Sequence, residues 1–155
     1  MKVRIVALGH RMPAWVAAGV DDYAKRLPRE WAFALTELRP EPRDRGKTVA
    51  HVLAAEAPRI EAACAGHRIV VLDEHGMAWT TRQLATRLRQ WQDAGDDIAF
   101  VIGSADGIAP ELKSRAAALV ALSAMTLPHG LVRVLLAEQL YRAHSLLTGH
   151  PYHRD

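Results

Sequence analysis

Apolar and polar positions along this chain fall into alternating blocks of two kinds. "VRIVAL" (3–8), "FALTEL" (33–38), "RIVVL" (68–72), "IAFVI" (98–102) and "ALVALS" (118–123) are short apolar runs of strand length. The residues between most of them carry helical spacing. A helix from Pro13 to about Arg26 is predicted to turn Trp15, Val16, Val20 and Tyr23 inward. Thr48 can cap a helix running to Cys64 and closed by Gly66. Thr80 opens another, with Gln83 three residues on as the second half of a capping box, Leu84, Leu88 and Trp91 inside, and Gly95 at the end. A short helix starts near Pro110. The last, over 131–147, is apolar nearly all round and is therefore expected to be buried, partly by a partner chain. "DEHGMAW" between the third strand and the third helix reads as a turn.

Strands alternating with helices predict an α/β fold: one domain, residues 1–155, with a mostly parallel sheet flanked by helices. Ligands in such folds bind beyond the carboxyl ends of the strands. Three strand-end loops stand out there: "LDEHG", "GSADG" and "AMTLPHG".

Composition narrows the picture. Half of the 155 residues are hydrophobic, enough for a sizeable core. The single cysteine, Cys64, cannot make an internal disulfide and fits a reducing compartment. Arg4 interrupts the first apolar run, so it is no secretory signal, and no run approaches the roughly 18 residues a bilayer demands. A cytoplasmic protein without a membrane partner is expected. The net charge is +3, with basic residues gathered in "YAKRLPRE", "RPEPRDRGK" and the C-terminal end, which suits nucleic acid or plain solvation equally.

Several chemistries are excluded by what the motifs lack. "ALGHRMP" has one glycine and no dinucleotide fingerprint, and no Lys-Ser/Thr pair follows "GSADG" to make a P-loop. No serine sits in a nucleophile elbow. His150 and His153 flank Pro151 outside any helix, with no thiolate or acidic pair beside them, so no metal site is expected. Two features remain. "LSAMTLPHG" offers Leu122, Met125 and Leu127 as apolar walls and Ser123 and Thr126 as hydroxyls. That suits either a flat uncharged ring or a buried core crossing. The tail "GHPYHRD" gathers Tyr152, His153 and Arg154, types that stack on bases and hold phosphates.

These residues carry a resemblance. "LSAMTLPHGLVRVLLAEQLYRAHSLLTGHPYHRD" closely resembles the C-terminal signature of the RlmH family of SPOUT methyltransferases, and "MKVRIVALGHRMPAWVAAGVDDYAKRLP", "RIVVLDEHG" and "VIGSADG" are similar to that family as well. The resemblance implies a SPOUT-type α/β trefoil knot, a homodimer and S-adenosyl-L-methionine as cofactor. It implies methyl transfer to N3 of a pseudouridine in helix 69 of 23S rRNA, with the assembled 70S ribosome as the expected substrate. Cofactor contacts are implied at Leu72, Gly103, Leu122, Ser123, Ala124, Met125, Thr126 and Leu127. Catalytic or substrate-holding roles are implied at His129, Arg142, Tyr152, His153 and Arg154. His153 or His129 would take the imide proton, and Arg142 and Arg154 would hold phosphates or base carbonyls. The tail would act as a flap over the cofactor pocket. A related SPOUT enzyme acting on tRNA, or an inactive nucleotide- or ribosome-binding module, stays open beside this reading. One departure is visible: the family usually has two consecutive glycines where this chain has Gly103-Ser104. If position 104 needs a positive φ, serine is strained there and Ser104→Gly should tighten cofactor binding.

Overall fold

A computed structural model describes residues 1–154. Its elements, in chain order, are β1 (Val3–Leu8), α1 (Ala14–Ala24), a 3-10 turn (Arg29–Trp31), β2 (Ala34–Leu38), α2 (Val49–Ala63), β3 (Arg68–Ala78), α3 (Thr81–Ala94), β4 (Ile98–Ile102), α4 (Pro110–Arg115), β5 (Ala118–Ala121) and α5 (His129–Thr148). The strands pair in the order β2-β1-β4-β3-β5, and every pairing is parallel.

Alternation along the strands explains the two-sided packing. Val3, Ile5 and Ala7 of β1 and Ile98, Phe100 and Ile102 of β4 face α3 and α5, where they meet Leu84, Leu88, Trp91, Leu136 and Leu140. Val6, Leu8, Ala99 and Val101 point the other way, onto Leu53, Ile60 and Cys64 at α2 and Leu112 of α4. β4 lies in the middle of the sheet and is buried at all five positions, so its sequence reads as an unbroken apolar run. Burial also pushes the Cys64 thiol up to about 11, which leaves it inert at neutral pH. The capping signals act as written: the Thr48 hydroxyl accepts the His51 N–H, Thr80 and Gln83 form a reciprocal capping box, and Gly95 closes α3 at φ 75°.

Three local expectations are corrected. Trp15 does not face inward; it is 55% exposed, while Val16 and Val20 make the buried edge of α1. The reason is angular. Successive helix residues differ by about 100°, and Gly19 already brings α1 so close to α5 that an added Cβ would lie 3.0 Å from Val134. The final helix begins at His129, two residues earlier than its apolar pattern suggests, with Pro128 as its cap. "DEHGMAW" is not a simple turn. β3 continues to Ala78, and both Leu72 and Met77 pair with Val120, so Asp73–Gly76 is a four-residue excursion from one strand.

Two non-glycine residues adopt a left-handed backbone, Arg11 (φ 55°) and Ala32 (φ 42°). Such a conformation costs about 1–2 kcal/mol per residue. Gly76 shows the opposite economy: a Cβ there would come within 2.6 Å of the β5 backbone at Leu119 and Val120. Gly76→Ala should therefore push β3 and β5 apart, lowering the thermal midpoint and disturbing the loop that follows β5. A midpoint equal to wild type in a melting experiment would show that the excursion can shift without cost.

Candidate active site at the carboxyl ends of the strands

The loops leaving β1, β3, β4 and β5 enclose a cavity of about 780 Å³ with the start of α5 as its floor. Parallel α/β sheets bind ligands at this end. The β4 loop sets its shape. Gly107 donates its N–H to the Ser104 carbonyl at 2.9 Å and lies at φ 88°. An added Cβ on Gly103 would come within 2.5 Å of the Gly107 carbonyl oxygen. Only glycine fits at position 103, because backbone there lies against backbone.

Ser104 departs from the strain expected of it. It is not among the residues with positive φ. Its hydroxyl donates to Glu56 Oε1 at 2.9 Å, and Glu56 is 1% exposed. The other carboxylate oxygen accepts the Glu41 N–H at 3.1 Å. One buried carboxylate on α2 thus holds both the β4 loop and the loop after β2. Arg43 crosses the same gap outside it, pairing with Asp106 at 2.7 Å.

A second buried node lies at the start of α5. Arg133 is 1% exposed and donates in three directions: to Glu37 Oε2 of β2 at 2.6 Å, to the Gly9 carbonyl after β1 at 2.9 Å, and to His129 Nε2 at 3.0 Å. His129 Nδ1 in turn reaches the Gly103 carbonyl at 3.1 Å. A carbonyl can only accept, so Nδ1 carries the proton and Nε2 offers its lone pair to Arg133. Burial, then the Arg133 cation, hold His129 below its ordinary value of 6.5. The ring is a neutral spacer between Arg133 and the glycine loop. That is a poor arrangement for taking a substrate proton, because its one basic nitrogen is already engaged.

The structure brings most of the expected cofactor residues together. Leu72, Gly103, Leu122, Ser123, Met125, Thr126 and Leu127 line the cavity, whereas Ala124 is not among its lining residues. The Ser123 hydroxyl accepts the Met125 N–H at 2.9 Å, which bends the loop and leaves Met125 78% exposed at the rim. The sequence reading missed His10, Met12, Arg43, Asp73 and Lys113, which line the same cavity. Lys113 pairs with Asp73 at 2.8 Å. Only the proximity of these residues to strand ends could have flagged them.

Arg142, Tyr152, His153 and Arg154 are not at this cavity. Arg142 lies 13 residues beyond His129 on α5, about 20 Å along the helix, and Tyr152 folds back beside it. There Tyr152 packs on Tyr141 with ring centroids 4.6 Å apart, and the Arg142 guanidinium sits 4.9 Å above the Tyr152 ring. Glu138 gathers both, accepting the Tyr152 hydroxyl at 3.1 Å and Arg142 Nε at 2.8 Å. Burial and the Glu138 carboxylate push the Tyr152 phenol up to about 12, so it stays a neutral donor. Among the described residues no cluster of His, Cys, Asp and Glu is arranged to hold a metal ion.

A parallel sheet with a glycine-turned loop and an apolar loop meeting at its carboxyl end forms a concave site of the kind in which α/β folds bind small molecules. The family model described as "Predicted SPOUT methyltransferase" matches residues 1–153. Proteins named "Ribosomal RNA large subunit methyltransferase H" from Burkholderia mallei (strain SAVP1) and Burkholderia pseudomallei (strain K96243) are each 59% identical over 155 residues, covering 99% of both chains. A solved methylase family protein from Neisseria gonorrhoeae shares the fold at a TM-score of 0.57 and 11% identity, covering 98% of this chain and 95% of its own. The chain belongs to the RlmH family of SPOUT methyltransferases, and its sheet order fits the knotted SPOUT fold.

Two outcomes follow from the buried nodes. Ser104→Ala leaves Glu56 Oε1 without its donor and should cost about 1–3 kcal/mol of stability. It should also weaken cofactor binding, and Ser104→Gly should weaken it too rather than tighten it; a calorimetric titration giving tighter binding for either variant would contradict this. For His129 the sign is set by its neutral folded state. As pH falls below about 6.5 the unfolded chain takes up this proton first. Stability from this group is thus full above that value and is lost toward the lower folded-state value. Denaturant midpoints between about pH 7 and pH 5 should fall more steeply in wild type than in His129→Gln; equal slopes would assign the effect elsewhere.

Proposed function

We propose that this protein is a single-domain, S-adenosylmethionine-dependent methyltransferase of the large-subunit ribosomal RNA. Its target is N3 of a pseudouridine in helix 69 of 23S rRNA, reached on the assembled 70S ribosome in the cytoplasm. The observation that carries this is the meeting of the glycine loop and the Leu122–Leu127 loop in one cavity, in a chain 59% identical to proteins named for ribosomal RNA methylation. No helix among the described residues is long and apolar enough to cross a membrane, which agrees with work on ribosomes.

The cavity fits the cofactor on its own chemistry. A Cβ on Gly103 would strike the Gly107 carbonyl, and Gly107 itself takes φ 88°, so the turn is built of glycine at both positions. Leu72, Leu122 and Leu127 form apolar walls for a purine ring, and Met125 stands at the rim. Bound S-adenosylmethionine supplies a methyl group on a sulfonium. The chain's residues exclude water around the reacting atoms, and a dry site favours a transfer in which positive and negative charge annihilate. Most of the remaining gain is alignment. The imide proton of the base needs an acceptor, and His153 is the candidate that remains, since His129 Nε2 is engaged by Arg133. Arg154 and Arg142 hold phosphate or base carbonyl oxygens, and Tyr152 offers a stacking face.

In its own chain the tail is tied back onto α5 at Glu138, nine residues and about 14 Å along the helix from His129. With Tyr152 bound there to Glu138 and Tyr141, the flap role falls to the tail of a second copy. Exposed Trp15 on α1 and the half-buried Leu135 and Leu147 of α5 offer apolar surface for a homodimer. The test is complementation. A chain lacking Tyr152–Asp155 and a chain carrying Gly103→Val should each fail to methylate 70S ribosomes, and a mixture refolded together should regain activity. A mixture that stays inactive while both variants are folded and dimeric would overturn the shared site. Transfer by wild type to tRNA but to no ribosomal particle would overturn the substrate.

A further inference from the structure

We propose that Arg11, on the loop between β1 and α1, binds a phosphate of the RNA substrate at the mouth of the cavity. This rests on the RNA methyltransferase reading above and extends it to a residue outside the cofactor and tail sets.

The loop is fixed at both ends. Gly9 donates its N–H to the Leu38 carbonyl at 2.9 Å and its carbonyl accepts from Arg133 at 2.9 Å. At the other end Pro13 caps α1 at φ −51°. Between these anchors His10 and Met12 line the cavity, and Arg11 takes φ 55°, a conformation unusual for an arginine. Strain of this kind persists where surroundings impose it, and it is enriched where a side chain must be presented in one direction. Arg11 is exposed.

Charge around the cavity separates Arg11 from its neighbours. Arg43 is paired with Asp106, Lys113 with Asp73, and Arg133 with Glu37. Arg11 has no ion pair or hydrogen bond to its side chain among the described residues. A guanidinium held at a cavity mouth without an internal counter-ion is matched to a phosphate, which it can grip with two parallel hydrogen bonds. With a net charge of only +3, the placement of each unpaired cation matters for binding a polyanion.

The experiment compares wild type with Arg11→Ala, Arg11→Lys and Arg11→Gly, measuring methyl transfer to 70S ribosomes over a range of KCl, cofactor binding by calorimetry, and thermal midpoints. Arg11→Ala should raise KM for the ribosome severalfold with cofactor affinity unchanged. The slope of log affinity against log salt should shrink by about one. Arg11→Lys should recover most of the loss. Arg11→Gly is the deciding variant, because it relieves the left-handed strain: its midpoint should equal or exceed wild type while its KM for the ribosome rises as in Arg11→Ala. Unchanged KM and salt slope in Arg11→Ala and Arg11→Gly would overturn the proposal while leaving the methyltransferase reading in place. So would a defect seen with ribosomes but absent with isolated large-subunit RNA, since the contact would then be to protein. A wild-type enzyme that transfers no methyl to any RNA would sink both.

Discussion

The site depends on a guanidinium buried to 1% exposure. Arg133 stands one turn into α5, and its donors reach the ends of β1 and β2 directly and the end of β4 through His129. Desolvating an arginine is costly and is tolerated only where its donors are met with good geometry. Its three partners meet that demand, and in doing so they fix three strand-end loops relative to one helix. The carboxylate of Glu37 is itself 44% exposed, so the ion pair runs from the core to the surface and is not sealed inside. That lowers the desolvation cost on one side. Its value to the protein is positional: the cavity cannot change shape without breaking a buried charge contact.

Glu56 performs the matching task on the opposite face of the sheet. It is as buried as Arg133, yet its hydrogen-bond donors are neutral, the Ser104 hydroxyl and the Glu41 N–H. The serine that departs from the family's usual glycine pair is thereby explained by a donor it supplies rather than by a strain it suffers. Arg43 and Asp106 repeat the link at the surface, where an exposed pair contributes little energy. The buried bond and the surface pair tie the same two loops. The β4 loop is thus held from α2 on one side and from α5 on the other.

Much of the fold was legible because it is local. β-branched runs bounded by turn residues marked the strands, and the Thr80–Gln83 box and Gly95 marked α3 to the residue. The candidate site was legible in part, since Gly103 and the 122–127 loop follow apolar strands and strand ends are where α/β folds bind ligands. The failures have one physical source: contacts between residues far apart in sequence. Ser104 and Glu56 are 48 positions apart, and nothing near Ser104 announces its partner. Gly76 reads as a turn glycine until β5 is known to lie against it. Trp15 looked like core because it is large and apolar, yet the α1–α5 contact is centred on Gly19 and leaves it outside. Knotting is beyond any periodicity argument, because strand order is decided by which crossovers pack, and the general prior disfavours threading.

The two ends of α5 divide the labour. Its first turn carries His129 and Arg133, which are spent on shaping the cavity; its second half, from Glu138 through Tyr141 and Arg142, holds Tyr152 in place. A helix interior does not bend easily, and this one has no proline or glycine after Gly130 until Gly149 ends it. The separation between cavity and tail is therefore a property of the chain and not of a flexible hinge. The Tyr152–Glu138 and Arg142–Glu138 bonds hold the tail against the middle of α5, about 14 Å along the helix from His129. On the proposed reading, a tail tied in this way to its own helix acts on the cavity of another molecule. Symmetry makes this economical: in an isologous pair one such contact implies the reciprocal one, so a single interface completes two sites.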